Sequence, residues 1–247
     1  VFKRGEWLAS IADGSLRVAV GHPVNPWVAD AGHADLLLLA HDDEVHAVPR
    51  SQVDVQHHTS IDASRRLGQV SWQPSAATLV AEGELGRTLW AQTLSRGALS
   101  VAGQLLGLAQ RMLDLSVDYT AQRKQFGKPI GSFQAVKHHL ADVATQLEFA
   151  KPVLYRAAYA LAHGQSTAPV WVSQARLACC EASWLAARHG IQVHGAMGYT
   201  WEVDLQMFMK RAWALDSAWG DRALHKARVA AHVLSGAPLG PGHTFED

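Results

Sequence analysis

The residues of this 247-residue chain best suited to chemistry lie in Tyr119–Leu140, YTAQRKQFGKPIGSFQAVKHHL. Arg123 and Lys124 fall where one helical pattern ends, Gln125 and Phe126 follow, and Gly127-Lys128-Pro129 breaks the helix. Ser132 is spaced to cap the next helix. An arginine at a helix end beside free backbone donors suits a phosphate. On spacing alone, an ordinary basic turn in a helical hairpin is the commoner arrangement. Other reactive residue types offer less. Cys179 and Cys180 are adjacent in a helical pattern, which gives neither a disulfide framework nor a metal spacing and points to buried packing. His57 and His58 are neighbours in a strand-like segment, so they face opposite sides and do not share a site.

These residues need elements to hold them. Residues 1–84 read as a small β domain. Leu16–Val20 and Asp35–Leu39 are apolar runs, Glu44–Val48 alternates, and Val53–Val55 and Gly68–Trp72 fit further strands. A sheet this small needs the helices that follow, or a partner, to cover it. From about residue 86 the period becomes helical. Leu99, Ala102, Leu106, Met112 and Leu113 share one broad face running to Tyr119. Val136, Leu140, Val143, Leu147 and Ala150 form a bundle seam. Pro152 is expected to kink that helix near Leu147–Glu148.

His163-Gly164 ends the second helix; Ser166 and Thr167 are candidate caps for a third, with Pro169 in its first turn. Ala175, Ala178, Ala182, Leu185 and Ala186 give the third helix a small-residue face. A fourth starts near Glu202 or Asp204 and breaks around Asp216–Gly220. Pro238, Gly240 and Pro241 open a tail at 237–247. The expected fold is α+β, mainly α: a small β domain, then an antiparallel four-helix bundle over 85–236.

Composition narrows the function classes. Hydrophobic residues make up 48% and charged residues 18%, a globular balance. Lys+Arg and Asp+Glu are each 22, so no bulk charge draws the chain to nucleic acid or membrane. No apolar run is long enough to span a bilayer and no signal-peptide pattern is visible, which makes the cytoplasm the default location. The chain opens on Val1 rather than Met, consistent with a fragment, a processed product or the ordered part of something longer.

The wording of two segments is more specific than their spacing. R-x-x-F-G-x-P-I-x-x-F-Q-x-V from Arg123, followed by Leu140-Ala141-Asp142, resembles the C-terminal helical domain of the acyl-CoA dehydrogenases. The resemblance resumes at Gly190–Ala212, GIQVHGAMGYTWEVDLQMFMKRA. It covers Leu89 to Leu234 well and the first eighty-odd residues loosely. It implies flavin-dependent α,β-dehydrogenation of a CoA thioester, in which a carboxylate takes the Cα proton and the flavin takes the Cβ hydride.

Carried over residue by residue, the resemblance makes Arg123 the group that reaches the pyrophosphate of a neighbouring subunit's FAD. Gln125 and Phe126 lie alongside, and the family's F-Q glutamine is Gln134. Its Q-x-x-G-G segment falls on Gln192, Val193, His194, Gly195 and Ala196, with Ala196 replacing the second glycine. The two positions where family members carry the base fall on Trp219 and Gly97, neither of which removes a proton from carbon. Asp216 and Asp221 flank the tryptophan and are the alternative acids. Glu202 reads as a helix N-terminal charge.

The family's leading helical domain and flavin-facing E-P-x-x-G-S-D segment precede the part of the β domain seen in these residues. The chain therefore resembles the shorter, base-lacking subunit of actinobacterial heterotetrameric acyl-CoA dehydrogenases. That implies an α2β2 assembly with a longer subunit that supplies the base. It also implies electron-transfer flavoprotein as acceptor, no metal, and room for a bulky acyl group such as a steroid side-chain thioester. The alternatives are a purely structural paralogue that touches no cofactor, and a flavin oxidase or monooxygenase on the same fold.

Overall fold

A computed structural model describes residues 4–237, so nearly all of the expected tail lies outside the described residues. The chain divides into two compact units, up to Leu94 and from Ser95 onward.

The first unit contains α1 (Arg4–Ala12), β1 (Val18–Gly21), β2 (Val28–Ala29), β3 (Leu36–His41), β4 (Glu44–Pro49), β5 (Asp54–His58), β6 (Leu67–Ser71), β7 (Leu79–Ala81) and the first turns of α2 (Gly83–Gln122). All five expected strands are present, with ends within one to three residues of those expected. Helix α1 corrects the expectation of β structure from the start. Leu8 and Ile11 in it are exposed, so it carries no buried stripe that a periodicity would reveal. One sheet has the order β1-β3-β4-β7, with β1 and β3 parallel and the other pairs antiparallel. The second is antiparallel β2-β6-β5.

Ala19, Val28, Leu37, Leu39, Val48 and Val53 from this unit form one buried cluster, so the strands enclose a core of their own. The following helix also contributes, as expected. Trp90 packs with Val45 and Ala81, and its indole N–H donates to the Glu44 carbonyl at 3.0 Å. Buried His46 ties the sheet laterally, between Thr78 Oγ1 at 2.9 Å and Glu44 Oε2 at 2.8 Å.

The second unit is the helical bundle. It holds the rest of α2, a two-strand hairpin of β8 (Lys124–Gln125) and β9 (Lys128–Pro129), α3 (Gln134–Ala162), α4 (Ala168–His194), α5 (Leu205–Leu215) and α6 (Arg222–Leu234). The fourth helix is broken between Leu215 and Arg222, as its sequence predicted, and α5 and α6 are its two halves. Ala98, Ala102, Leu105, Ala109 and Met112 of α2 meet Val143, Leu147, Ala150 and Leu154 of α3 in one core. Their steps of three and four keep each set on one helix face.

Helix α3 continues through Pro152 without interruption, although residue 152 has no N–H to give Glu148. Helix α4 packs against α3, α5 and α6. Its small residues Ala175, Cys179, Ala182 and Ala186 are fully or almost fully buried. Thr167 occupies its N-cap position without a side-chain bond, and Pro169 lies in its first turn. Burial pushes the thiols of Cys179 and Cys180 up to about 12. Among the described residues no helix is long and apolar enough to cross a membrane.

The tight seat of α4 generates a prediction. Ala175→Leu forces three extra heavy atoms into a closed interface and should lower the unfolding free energy by about 1–3 kcal/mol, read from denaturant titration. An unchanged midpoint at unchanged slope would mean that the α4 face has slack.

Candidate functional site

The first segment is built on the C-terminal turn of α2. The Arg123 N–H donates to the Tyr119 carbonyl at 2.9 Å, and the Arg123 carbonyl accepts from the Ile130 N–H at 2.8 Å. Between these two bonds the chain makes a two-residue hairpin, pairing Lys124 with Pro129 and Gln125 with Lys128. Phe126 and Gly127 both have positive φ, at 52° and 78°, which is the mirror-type turn that a tight hairpin needs. Glycine accepts that backbone readily; a bulky aromatic seldom does. Phe126 is nonetheless there, 91% exposed, with its ring edge-on to Phe133 at 6.2 Å. Lys128 Nζ lies 4.4 Å from the centre of the Phe133 ring.

The Arg123 side chain is exposed, and no hydrogen bond or ion pair engages it among the described residues. Gln125 and Gln134 are exposed as well. Ser132 does not cap α3: its hydroxyl closes its own turn onto the Pro129 carbonyl at 2.7 Å. The helix starts one residue later than that cap requires, and its N-cap position is Phe133, which has no side-chain acceptor. The first donors of α3 therefore have no side-chain cap.

The second segment closes α4. Gly190 lets neighbours approach, because a Cβ there would lie 3.2 Å from Leu205 Cδ1 and 3.3 Å from Ser116 Oγ. Val193 and His194 turn inward and are buried, so only their backbone is available to a ligand. Gln192, Gly195 and Ala196 are exposed. His194 Nδ1 meets the Gly190 carbonyl at 2.8 Å. Burial pulls the His194 pKa below its ordinary value, against the opposing effect of that bond, which keeps the ring neutral near pH 7. The imidazole stacks on the Tyr119 ring at 4.2 Å and 22°, and the Tyr119 hydroxyl lies 3.4 Å from the His194 carbonyl. Tyr119 thus links the Arg123 turn to the Gln192 turn.

Trp219 and Gly97, where the resemblance would put the base, sit elsewhere in the bundle and touch each other. Trp219 lies in the turn between α5 and α6 with φ 58°, followed by Gly220 with φ 92°. Its indole covers Gly97 of α2 so closely that a Cβ on Gly97 would fall 2.1 Å from Trp219 Cδ2. Two buried groups hold this turn. Arg176 of α4 is 1% exposed and donates through Nη2 to the carbonyls of Leu215 at 2.6 Å, Asp216 at 2.9 Å and Ala218 at 3.1 Å, while Nη1 meets Cys180 Sγ. His225 of α6 meets the Trp219 carbonyl through Nε2 at 3.1 Å and Ser173 Oγ through Nδ1 at 3.0 Å.

A carbonyl only accepts, so His225 donates to the Trp219 carbonyl from Nε2, while Nδ1 faces the oxygen of Ser173, whose hydroxyl donates to the Pro169 carbonyl at 2.9 Å. Asp216 is engaged by Arg222 at 2.9 Å, and Asp221 caps α6 by accepting from the Leu224 N–H at 2.8 Å. Both alternative acids therefore have structural partners. Sequence reading did not single out Arg176, Ser173 or His225. The one available signal was an arginine inside the small-residue run around Ala175 and Cys179.

A family profile described as acyl-CoA dehydrogenase, C-terminal domain, matches residues 85–234. The chain is 43% identical over 115 residues to acyl-CoA dehydrogenase IpdE2 of Mycobacterium tuberculosis, covering 47% of this chain and 34% of that protein. It is 32% identical over 233 residues to acyl-CoA dehydrogenase IpdE2 of Mycolicibacterium smegmatis, covering 94% of this chain and 68% of that protein. The chain therefore spans only about a third to two thirds of the length of these relatives. An acyl-CoA dehydrogenase from Geobacillus kaustophilus shares the fold, with a TM-score of 0.83 at 20% identity over 94% of this chain and 72% of the other.

The buried histidine generates a pH prediction. Burial is the main cause that holds the His225 pKa down at about 4; Arg176 and Arg228 add to it, and the Trp219 carbonyl and Asp221 oppose it. An unfolded histidine takes up its proton near pH 6.5. Between those values the unfolded chain binds the extra proton, so stability present above about pH 6.5 is lost as pH falls toward 4. His194 and His22 shift in the same direction and add to this limb. His225→Asn should therefore flatten the acid limb of the unfolding midpoint without abolishing it; an unaltered limb would remove His225 from this account.

Proposed function

Because the chain belongs to the acyl-CoA dehydrogenase family, its residues 85–234 matching that family's C-terminal domain, we propose that it is a cofactor-sharing subunit of a hetero-oligomeric acyl-CoA dehydrogenase. The observation that carries the reading is the pairing of an unengaged arginine with a filled base position. Arg123 is fixed at both backbone ends and keeps its guanidinium free among the described residues. The uncapped donors that open α3 add to an anion-binding set. This donor chemistry fits the pyrophosphate of FAD, which an arginine fork grips through two parallel hydrogen bonds.

Arg123, Gln125, Phe126 and Gln134 would hold the cofactor from the hairpin side. Gln192, Gly195 and Ala196, with the backbone of Val193 and His194, would hold it from the end of α4. When bound, FAD supplies the acceptor for the Cβ hydride of an acyl thioester. The chain's own residues bind and orient. Trp219 and Gly97 offer no carboxylate, and Asp216 and Asp221 are committed to Arg222 and to the α6 cap. A longer partner subunit would provide the base and the rest of the flavin site in an α2β2 assembly. Electron-transfer flavoprotein would take the electrons, and the substrate class is a bulky CoA thioester, including steroid side-chain thioesters.

Co-expression with the longer subunit, followed by light scattering for mass and absorbance for FAD, tests the reading. The expected result is a hetero-oligomer with about one FAD per pair of unlike chains, a ratio that a closed symmetric assembly allows. Arg123→Ala should weaken FAD retention by about 10–100-fold, the size of a charge-assisted bond. Unchanged retention would favour a purely structural paralogue, and FAD bound by this chain alone would mean a complete pocket of its own.

A further inference from the structure

We propose that Trp219 is a built-in plug, held over Gly97 by the α5–α6 turn, that closes this subunit's bundle to any acyl-sized apolar group. The inference rests on the reading above for its functional meaning, but its physical content stands on the bundle alone. Trp219 and Gly97 come from segments far apart in sequence and fit as a large–small pair. The indole leaves no room for a β-carbon, with Cδ2, Cε3 and Cε2 at 2.1, 2.3 and 2.6 Å from where one would sit. Gly103 and Gly107 of the same helix have open space where a β-carbon would sit, so the close cover is particular to Gly97.

The backbone carrying the ring is also specified. Trp219 takes a left-handed conformation that a bulky side chain seldom adopts, and such a conformation persists only where surroundings fix it. Arg176 fixes the carbonyls of Leu215, Asp216 and Ala218 from α4, and His225 fixes the Trp219 carbonyl from α6. A Cβ on Gly220 would lie 2.9 Å from His225 Nε2, so the next residue is confined as well. The two positions where the family's base is expected are thus one filled volume. Restoring a carboxylate at residue 97 would drive it into the indole. The loss of a base and the loss of space are one change, made by a single ring.

The test is a mutant cycle on the full chain in whatever assembly it forms, read by thermal unfolding and by FAD content. Gly97→Ala should lower the midpoint in the parent, where the methyl meets the ring. In a Trp219→Ala background the same substitution should raise it, because only the helix preference of alanine remains. Millimolar indole should raise the midpoint of Trp219→Ala and leave the parent unmoved, as an apolar ligand refilling a vacated cavity would. Trp219→Leu, a partial truncation, serves in the same design if Trp219→Ala does not fold. Gly97→Ala acting alike in both backgrounds, or indole acting alike on both proteins, would overturn the plug. FAD content separates the two readings: it should stay constant through the cycle, and its loss in Arg123→Ala alone bears on the shared-cofactor proposal.

Discussion

A buried guanidinium with no ion pair among the described residues is the constraint on which this end of the bundle depends. Arg176 lies in the small-residue face of α4, where α4 meets the break between α5 and α6. Burying a full charge is costly unless its hydrogen-bonding capacity is met. Nη1 and Nη2 find acceptors here, Nη2 in the carbonyls of Leu215, Asp216 and Ala218 around the end of α5, where the helix dipole favours a cation, while Nε has no partner among the described residues. One side chain therefore exchanges bonds with three carbonyls at the break between α5 and α6. The turn is made unique by that exchange, and the indole of Trp219 follows from the turn.

A second, softer link joins the two segments proposed to hold the cofactor. Tyr119 ends the helix that sets Arg123, and His194 ends the helix that sets Gln192; their rings stack. A neutral imidazole suits that contact, since it can lie flat on the phenol while its nitrogen serves the Gly190 carbonyl. The hairpin and the end of α4 are thereby linked, while the exposed side chains of Arg123, Gln125 and Gln192 have no bond among the described residues. This is the usual division between a rigid frame and groups left available to a ligand.

Much of the frame was legible in the sequence because each element is marked locally. Glycine, proline and aspartate bound the strands, and steps of three and four mark the helices. The break at Asp216–Gly220 was visible for the same reason. Strands β2 and β7 were too short to form a pattern, and α1 lacks an inward stripe. Ser132 misled because its hydroxyl has a nearer acceptor than the helix it precedes. Arg176 and His225 were illegible for a different reason: their partners lie about 40 and 50 residues away, and no local rule links them. The family wording located Trp219 and Gly97 separately, but their contact belongs to the tertiary structure.

The two cysteines have a practical corollary. Burial pushes both thiols up to about 12, so the reactive thiolate is disfavoured at neutral pH, and both sulfurs are shielded by packing. The native chain is therefore nearly silent toward maleimides and mild oxidants. A single cysteine introduced on the surface would label alone against that background, so spectroscopic distances could be measured across an assembly without first stripping the protein of its own sulfur.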